Sequence, residues 1–506
     1  MKVLVISLLR LGDFIQTVPV LNGLASRPGA RVDVLVHKSV TQLSSLVSAV
    51  DQWWTLDRDE MQAGLGLAEI PMLTAFHVLK EQLELIEKQN YDLIINLSHT
   101  RFSGFLTGFL SAPNKIGLNI DSTGRATFNS PWFRYLDHHA ENPVEDVMNY
   151  CDIFMQACDL SEADWSLKPT AKGEQEVNDL NLLSAPVTTF QILTSDSKKN
   201  WGRSSWVKFL GAYHQREPQQ QLVLLGAPNE KNQLEDYILD LEKAGVPARL
   251  AILSLDGALS LLNRSELLIT GDTSIKHLAN GSSARIIELS LGSSDFRRTG
   301  VYKNGSLIVS SQVPCAPCSH SSVCGQSRHL CGEAVEPLRM AEIASHFLNR
   351  RRQALKASAV ETRGLRICET RELSSGLWLA VDLNDELATI RGMLHRSSWK
   401  FICNQEHRRF LSSLGTESLA LKEDLTRIFA GGPSCLANLD FLENEITSEI
   451  DVVASKLRQI PAMAKATSLE FGKVRQKQIE LDERSKTTEI QKKLIRSLKS
   501  QMTETI

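Results

Sequence analysis

The chain has 506 residues, 42% of them hydrophobic and 23% charged, with a formal net charge of -3. That length exceeds what a single hydrophobic core organises, so two or three domains are expected. The near-neutral balance excludes a global attraction to nucleic acid or anionic lipid, and no stretch approaches the roughly 18 uninterrupted apolar residues of a membrane span.

The opening MKVLVISLLRLGDFIQTVPVLNGL has a Lys and a short apolar run, as a signal peptide would. Arg10 and Asp13 interrupt the run, however, and no small-residue cleavage site follows. It reads instead as a strand over residues 3–8 and a helix over 15–24, then a strand over 31–36. Further on come an amphipathic helix over 79–89 and a strand over 91–97. Continuous apolar strands alternating with helices indicate a parallel sheet covered on both faces.

Residues 160–187 turn polar and read as a linker. The alternation then restarts, with strands over 189–194, 221–225, 267–270 and 284–289. Helices are expected over 204–215, after Asn229 and from Ser274, which makes a second parallel α/β domain. Two such domains make the cleft between them the default ligand site. Beyond about residue 350 the chain is rich in helix formers, with Leu442, Ile446, Ile450, Val453 and Leu457 at spacings of three and four until Pro461 interrupts. The charged last forty or so residues suit a solvated helix, a coiled-coil seam or partial disorder alike.

Four stretches carry chemistry. In RLGDFIQTVP, Asp13 follows a strand, where it either floors a ligand crevice or caps the helix beginning near Phe14; Gly12 would permit a tight turn. In LLITGDTSIKHLAN, Asp272 and Thr273 introduce a helix whose free N–H groups suit a phosphate, with Lys276 and His277 near the same anion; the alternative is a plain N-cap over a core histidine. In TSDSKKNW, Ser195, Ser197, Lys198 and Lys199 form an anion-friendly loop, or simply a solvated basic one. All three lie at the carboxyl ends of expected strands, in two domains that should face each other. In VPCAPCSHSSVCGQSRHLC, Cys315, Cys318, Cys324 and Cys331 are spaced C-x2-C-x5-C-x6-C beside His320 and His329. They offer four soft ligands to a structural Zn or Fe, the alternative being a disulfide or a reduced structural loop. The other five of the nine cysteines are scattered, which in a reducing compartment reads as one cluster plus inert thiols rather than a disulfide framework.

Taken in order, these stretches resemble the family 9 glycosyltransferases, the bacterial heptosyltransferases of the lipopolysaccharide inner core. The resemblance rests on ISLLRLGDFIQTVPVL, KNW, DTSIKH followed by LAN, and RRTGVY. The cysteine loop followed by VEPLRMAEIA is similar to the heptosyltransferase II branch. The match covers roughly residues 1 to 350. Gln16 stands where the family often has His, Ser274 replaces a Gly, and GSS at 292–294 replaces Gly-Pro-Thr; Ser274 therefore puts a Cβ where phosphate should approach closest.

The resemblance implies a GT-B fold: a Rossmann-like acceptor domain over 1–170, a Rossmann-like nucleotide-sugar domain over 185–350 with its Cys-rich loop at 313–332, and a mostly helical extension over 351–506. It implies inverting transfer of heptose from ADP-heptose to a hydroxyl of a lipopolysaccharide core or other envelope glycan, with no cofactor required for catalysis. Asp13 matches the general base, and Lys199 the residue that offsets charge on the departing diphosphate. Asp272, Thr273, Ser274, Lys276, His277 and Glu230 fall on the donor side, with Glu230 facing the ribose. Arg10, Gly12 and Gln16 fall on the acceptor side. Alternatives are a protein-modifying heptosyltransferase, or an inactive relative that serves as a binding scaffold. The expected partners are the nucleotide sugar and a glycolipid or glycan, without nucleic acid. The expected location is cytoplasmic, with peripheral contact at the inner membrane and self-association through the C-terminal helices left open.

Overall fold

The computed structural model describes residues 1–57, 71–140, 147–362, 364–407, 414–429, 435, 437–448 and 468–503. Two compact units result: Met1–Phe133 with Asn149–Thr370, and Arg134–Met148 with Arg371–Ile506. Both expected parallel sheets lie in the first.

The first sheet contains β1 (Lys2–Ser7), β2 (Arg31–His37), β3 (Gln52–Leu56), β4 (Leu93–Asn96), β5 (Asn114–Ile120) and β6 (Ala126–Phe128), in the order β3-β2-β1-β4-β5-β6. All pairs are parallel except β5 with β6. Val3, Leu4, Val5 and Ile6 are wholly buried, as strands covered on both faces require. Strand order reverses beside β1, whose neighbours are β2 and β4. A loop leaving β1 at its carboxyl end therefore opens into the crevice of the sheet.

Two helices, α1 (Leu11–Ile15) and α2 (Val18–Ala25), replace the single helix expected over 15–24. The break falls at Gln16 and Thr17, because Pro19 in the first turn of α2 lacks an N–H and so starts a helix better than it continues one. Next come α3 (Pro71–Glu87), α4 (Arg101–Phe109), α5 (Pro131–Ala140), α6 (Tyr150–Ala157) and α7 (Ala171–Asn178). The polar stretch 160–187 was expected as a linker, but α7 lies inside it and packs on the second sheet's helix α10 (Leu255–Arg264). Thr170 N donates to Asp256 Oδ1 at 2.8 Å, and Arg264 reaches Glu174 Oε2 at 2.6 Å. Polar composition reflected a helix held by charged and capping contacts, which hydropathy alone does not reveal.

The second sheet adds β7 (Val187–Gln191), β8 (Gln221–Gly226), β9 (Ala248–Ile252), β10 (Leu267–Gly271), β11 (Arg285–Ser290), β12 (Leu307–Ser311) and β13 (Leu365–Glu372). Their order is β13-β12-β11-β10-β7-β8-β9, parallel throughout except for β13. The six parallel strands thus run in the order of a dinucleotide-binding sheet, with its switch point between β7 and β10. Around it lie α8 (Arg203–Arg216), α9 (Lys231–Lys243), α10, α11 (Ser274–Ala279), α12 (Phe296–Thr299), α13 (Leu330–Glu333), α14 (Pro337–Leu348) and α15 (Arg352–Glu361).

The second unit holds β14 (Trp378–Asp382), α16 (Glu386–His407), α17 (Leu414–Phe429), the helical residues 437–448 and α18 (Ser468–Thr503). Its core contains Ile390, Met393, Leu425, Leu439 and Leu442, together with Leu494, Ile495 and Leu498 of α18. The charged tail is thus helical and buries one apolar edge, rather than being solvated all round. Leu442 and Ile446 of the expected stripe are buried, whereas Ile450, Val453, Leu457 and Pro461 lie outside the described residues. Arg396 is also buried here, and its guanidinium donates to the carbonyls of Trp378, Gly392 and Val147 at 2.8 to 3.0 Å. Among the described residues no helix is long and apolar enough to cross a membrane.

Candidate active site

Asp13 lies within α1, at its third residue, rather than before it. Its Oδ2 accepts the Arg10 backbone N–H at 3.2 Å, the reciprocal half of a capping box. The cap does not exclude a place in the crevice, since one oxygen caps while the residue follows β1 at the switch point of the first sheet. Burial pushes its pKa up, and the Asp272 carboxylate adds to that, against the lowering pull of Arg10 and Lys199. Such a carboxylate is more basic than an ordinary aspartate.

Gly12 does not serve a tight turn, because it lies inside α1. Its hydrogen serves a close approach: a Cβ there would meet His277 Cδ2 at 3.2 Å and Ser274 Cα at 3.6 Å. Helix α1 of the first sheet thus rests on α11 of the second, and the two strand-end loops share one cleft. Arg10, just before α1, is exposed. Gln16, expected on the acceptor side, is instead buried: it follows α1 as its C-cap, turns inward, and accepts the Cys151 thiol on its main-chain oxygen at 3.5 Å.

On the opposite side Asp272, just past β10, bridges two ammonium groups. Lys199 Nζ reaches its Oδ2 at 2.6 Å and Lys276 Nζ its Oδ1 at 2.5 Å, while Ser294 Oγ donates to Oδ2 at 3.2 Å. Burial opposes ionisation, but the two lysines outweigh it and hold the Asp272 carboxyl well below the usual carboxylate range. Lys199 enters from the short helical turn Ser197–Lys199 after β7, the strand adjacent to β10. It retains some exposure toward the cleft, with 11% of its side chain accessible.

Lys276 departs from the expected donor-side contact. It is fully buried, and its three protons go to Asp272, to Glu288 Oε1 at 3.0 Å and to the Thr299 carbonyl at 2.8 Å. Its link to Lys199 runs through Asp272. His277 is buried against Gly12. Burial and the nearby Lys276 lower its pKa to about 3, so the ring is neutral at physiological pH. Thr273 and Ser274 form the N-cap and first residue of α11, with no side chain capping their N–H groups. Glu230 ends a helical turn after β8 and accepts the Ala227 N–H on Oε2 at 2.9 Å, which sets it at the carboxyl edge of the second sheet.

The cysteine loop docks beside this site. The buried Lys198 donates to the carbonyls of Ser319, His320 and Ser322 at 3.0, 3.2 and 2.5 Å. Cys318 N donates to the Gly292 carbonyl at 2.8 Å. Gly292, at φ +60, leaves no room for a Cβ, which would stand 2.1 Å from the Lys198 carbonyl oxygen. All four thiols are free: Cys318 Sγ donates to the Cys315 carbonyl at 3.3 Å, and Cys331 pairs with His329 Nε2 at 3.3 Å. Among the described residues no three His, Cys, Asp or Glu side chains are arranged to hold a metal, although burial together with Cys331, Cys315 and Cys324, all near enough to Cys318 to act on it, pushes the Cys318 pKa up.

Two features escaped the sequence reading. Glu288 is a lone carboxylate in the apolar run ARIIEL, the same signal that made Asp13 stand out. His320, carried over the cleft by the docked loop, has its pKa lowered by burial and then by Lys199, with Arg10 and Asp272 also acting on it; its sequence neighbours gave no sign of this.

Residues 79–326 match the family described as Glycosyltransferase family 9 (heptosyltransferase). The chain carries a glycosyltransferase family 9 domain. It is 25% identical over 338 residues to lipopolysaccharide heptosyltransferase 1 of Pseudomonas aeruginosa, covering 63% of this chain and 86% of that protein. The crystal structure of a family 9 glycosyltransferase from Veillonella parvula DSM 2008 superposes with a TM-score of 0.52 at 15% identity, over 69% of this chain and 97% of that one. E. coli ADP-heptose lipopolysaccharide heptosyltransferase II gives 0.49 at 18% identity, over 70% and 100%. The fold is accordingly GT-B, two Rossmann-like halves, with a largely helical C-terminal region beyond the family domain.

Proposed function

We propose that this family 9 glycosyltransferase transfers a heptose from ADP-heptose, with inversion, to a hydroxyl of a lipopolysaccharide core or related envelope glycan. The observation that carries the reading is the opposition of Asp13 to the Lys199–Asp272 pair, each at the switch point of its own sheet, with α1 resting on α11 at Gly12 and His277. The relative from P. aeruginosa is named for lipopolysaccharide heptosyl transfer, which supports the same donor and acceptor class here.

In this mechanism the acceptor hydroxyl approaches C1 of the donor sugar from the Asp13 side. As its oxygen bonds to C1, its proton passes to the Asp13 carboxylate, and the bond from C1 to the diphosphate oxygen breaks. A buried carboxylate with a raised pKa suits that task. Negative charge accumulates on the departing diphosphate, and the Lys199 ammonium stabilises it. The N–H groups at Thr273 and Ser274 cradle a phosphate, while Glu230 accepts from ribose hydroxyls. His277 contributes shape and a neutral ring rather than charge. Arg10 and Gly12 line the acceptor approach.

The test is thermal unfolding of the purified chain against a panel of nucleotide sugars. Stabilisation by ADP-heptose above UDP- and GDP-sugars is expected; no response to any nucleotide sugar would overturn the reading.

A further inference from the structure

The RRTGVY stretch, one of the motifs shared with the family, touches neither proposed catalytic group, yet it lies between them. Working outward from the donor side, Lys276 holds Asp272 and is itself held by Glu288 Oε1 at 3.0 Å and the Thr299 carbonyl at 2.8 Å. The other Glu288 oxygen accepts the Val301 N–H at 2.8 Å. Tyr302 N donates to Asn280 Oδ1 at 3.1 Å, fixing the end of the motif to the residue that caps α11. From there the Tyr302 hydroxyl crosses to α6, donating to Asp152 Oδ1 at 2.5 Å, and Asn149 Nδ2 donates to the Gly300 carbonyl at 3.4 Å. Asp152 is 1% exposed. Its neighbour Cys151 donates its thiol to the Gln16 carbonyl, which closes α1.

A contiguous set of hydrogen bonds thus runs from Lys199 to the end of the helix that carries Asp13. Glu288 and Lys276 are both fully buried, so this part of the set is shielded from solvent and confined to one arrangement. The crossing is made by the phenol-to-carboxylate bond, with the longer Asn149–Gly300 bond beside it. We propose that Tyr302 is a positioning residue, which through Asp152 sets α1 and its base against the Lys199–Asp272 pair held by Lys276 and Glu288. The proposal rests on the catalytic roles assigned above for its kinetic consequence, though not for the strut itself.

Tyr302→Phe removes only the hydroxyl. Misplacing a base by about 1 Å is worth about tenfold to a hundredfold in rate, so kcat should fall by at least about tenfold while the affinity for ADP stays within about twofold. Asp152→Asn keeps an oxygen to accept the phenol and should retain kcat, whereas Asp152→Ala should match Tyr302→Phe. The double variant Tyr302→Phe with Asp152→Ala should be no slower than the worse single one, as expected when both remove one interaction. In the ligand-free protein, Tyr302→Phe should also speed amide hydrogen exchange over residues 11–16 and 149–157, a readout that needs neither donor nor acceptor.

Unchanged exchange in those segments would overturn the strut, even if heptosyl transfer is confirmed. A kcat loss matched by an equal loss of ADP affinity would overturn it too, placing Tyr302 in the donor site. Should exchange respond as expected in a protein that binds no nucleotide sugar, the strut stands and the proposed chemistry falls.

Discussion

Gly12 and His277 touch across the cleft: a methyl group on residue 12 would stand 3.2 Å from the imidazole Cδ2. That is tighter than ordinary van der Waals contact, so in Gly12→Ala either the His277 ring or α1 itself must give by a few tenths of an ångström, and we expect α1 to share in the shift. Because Asp13 is the next residue, the base moves with it. The expected outcome is a fall in kcat of about tenfold, with the melting temperature near that of the wild type. A stopped assay of sugar transfer beside a thermal melt checks both.

The Asp13 carboxyl makes an opposite prediction for stability. Burial raises its pKa in the folded state above the unfolded value. A group raised in this way favours folding when protonated and loses that contribution as pH rises through the folded value. Ionised Asp13 is therefore a cost at neutral pH, and Asp13→Asn should melt at or above the wild-type temperature at pH 7. Transfer by the wild type should show an acid limb shifted upward from the ordinary aspartate value, because the base works only when ionised. Melts at pH 7 and a kcat profile over the acid range measure the two effects.

Removing Lys199 tests the charge across the cleft. Lys199→Ala leaves Asp272 still paired with Lys276 at 2.5 Å, so the fold is retained. Loss of the ammonium facing the departing diphosphate should lower kcat by about 10² to 10³, and it should weaken ADP binding, which Asp13→Ala should not. Titration calorimetry with ADP separates these variants.

Lys198 has a different task from its neighbour. It holds three loop carbonyls and is 8% exposed. Lys198→Met should destabilise the protein by about 2 kcal/mol, the scale of hydrogen bonds from a charged group. It should also speed proteolytic cleavage within residues 319–325, which chemical denaturation and limited digestion would reveal.

Much of the fold was legible because buried parallel strands announce themselves as continuous apolar runs, and KVLVIS, QLVLL, LLIT and ARIIEL all became strands. The break between α1 and α2 was missed because apolar periodicity carries through Gln16 and Thr17, where Pro19 overrides it. The strands β13 and β14 were absorbed into an expected helical extension, since their mixed charge resembles helix composition. At the site, Asp13, Lys199 and Asp272 stood out as charges at strand ends. Lys276 read as an anion ligand because sequence gives its distance from Asp272 along α11 but not its burial. Glu288 was passed over, and Tyr302 entered only as part of RRTGVY with no role of its own, because their partners lie 12 to 150 residues away, and such pairings exist only once both sheets have formed.

The central claim is that Asp13 is the base of a heptosyl transfer whose donor is held on the opposite half. The measurement that tests it most directly is single-turnover transfer from ADP-heptose to a heptose-deficient lipopolysaccharide core by Asp13→Ala, with donor affinity determined on the same protein. The account predicts wild-type donor affinity and transfer reduced by about 10² to 10⁴. Transfer at the wild-type rate in Asp13→Ala with donor bound would contradict it.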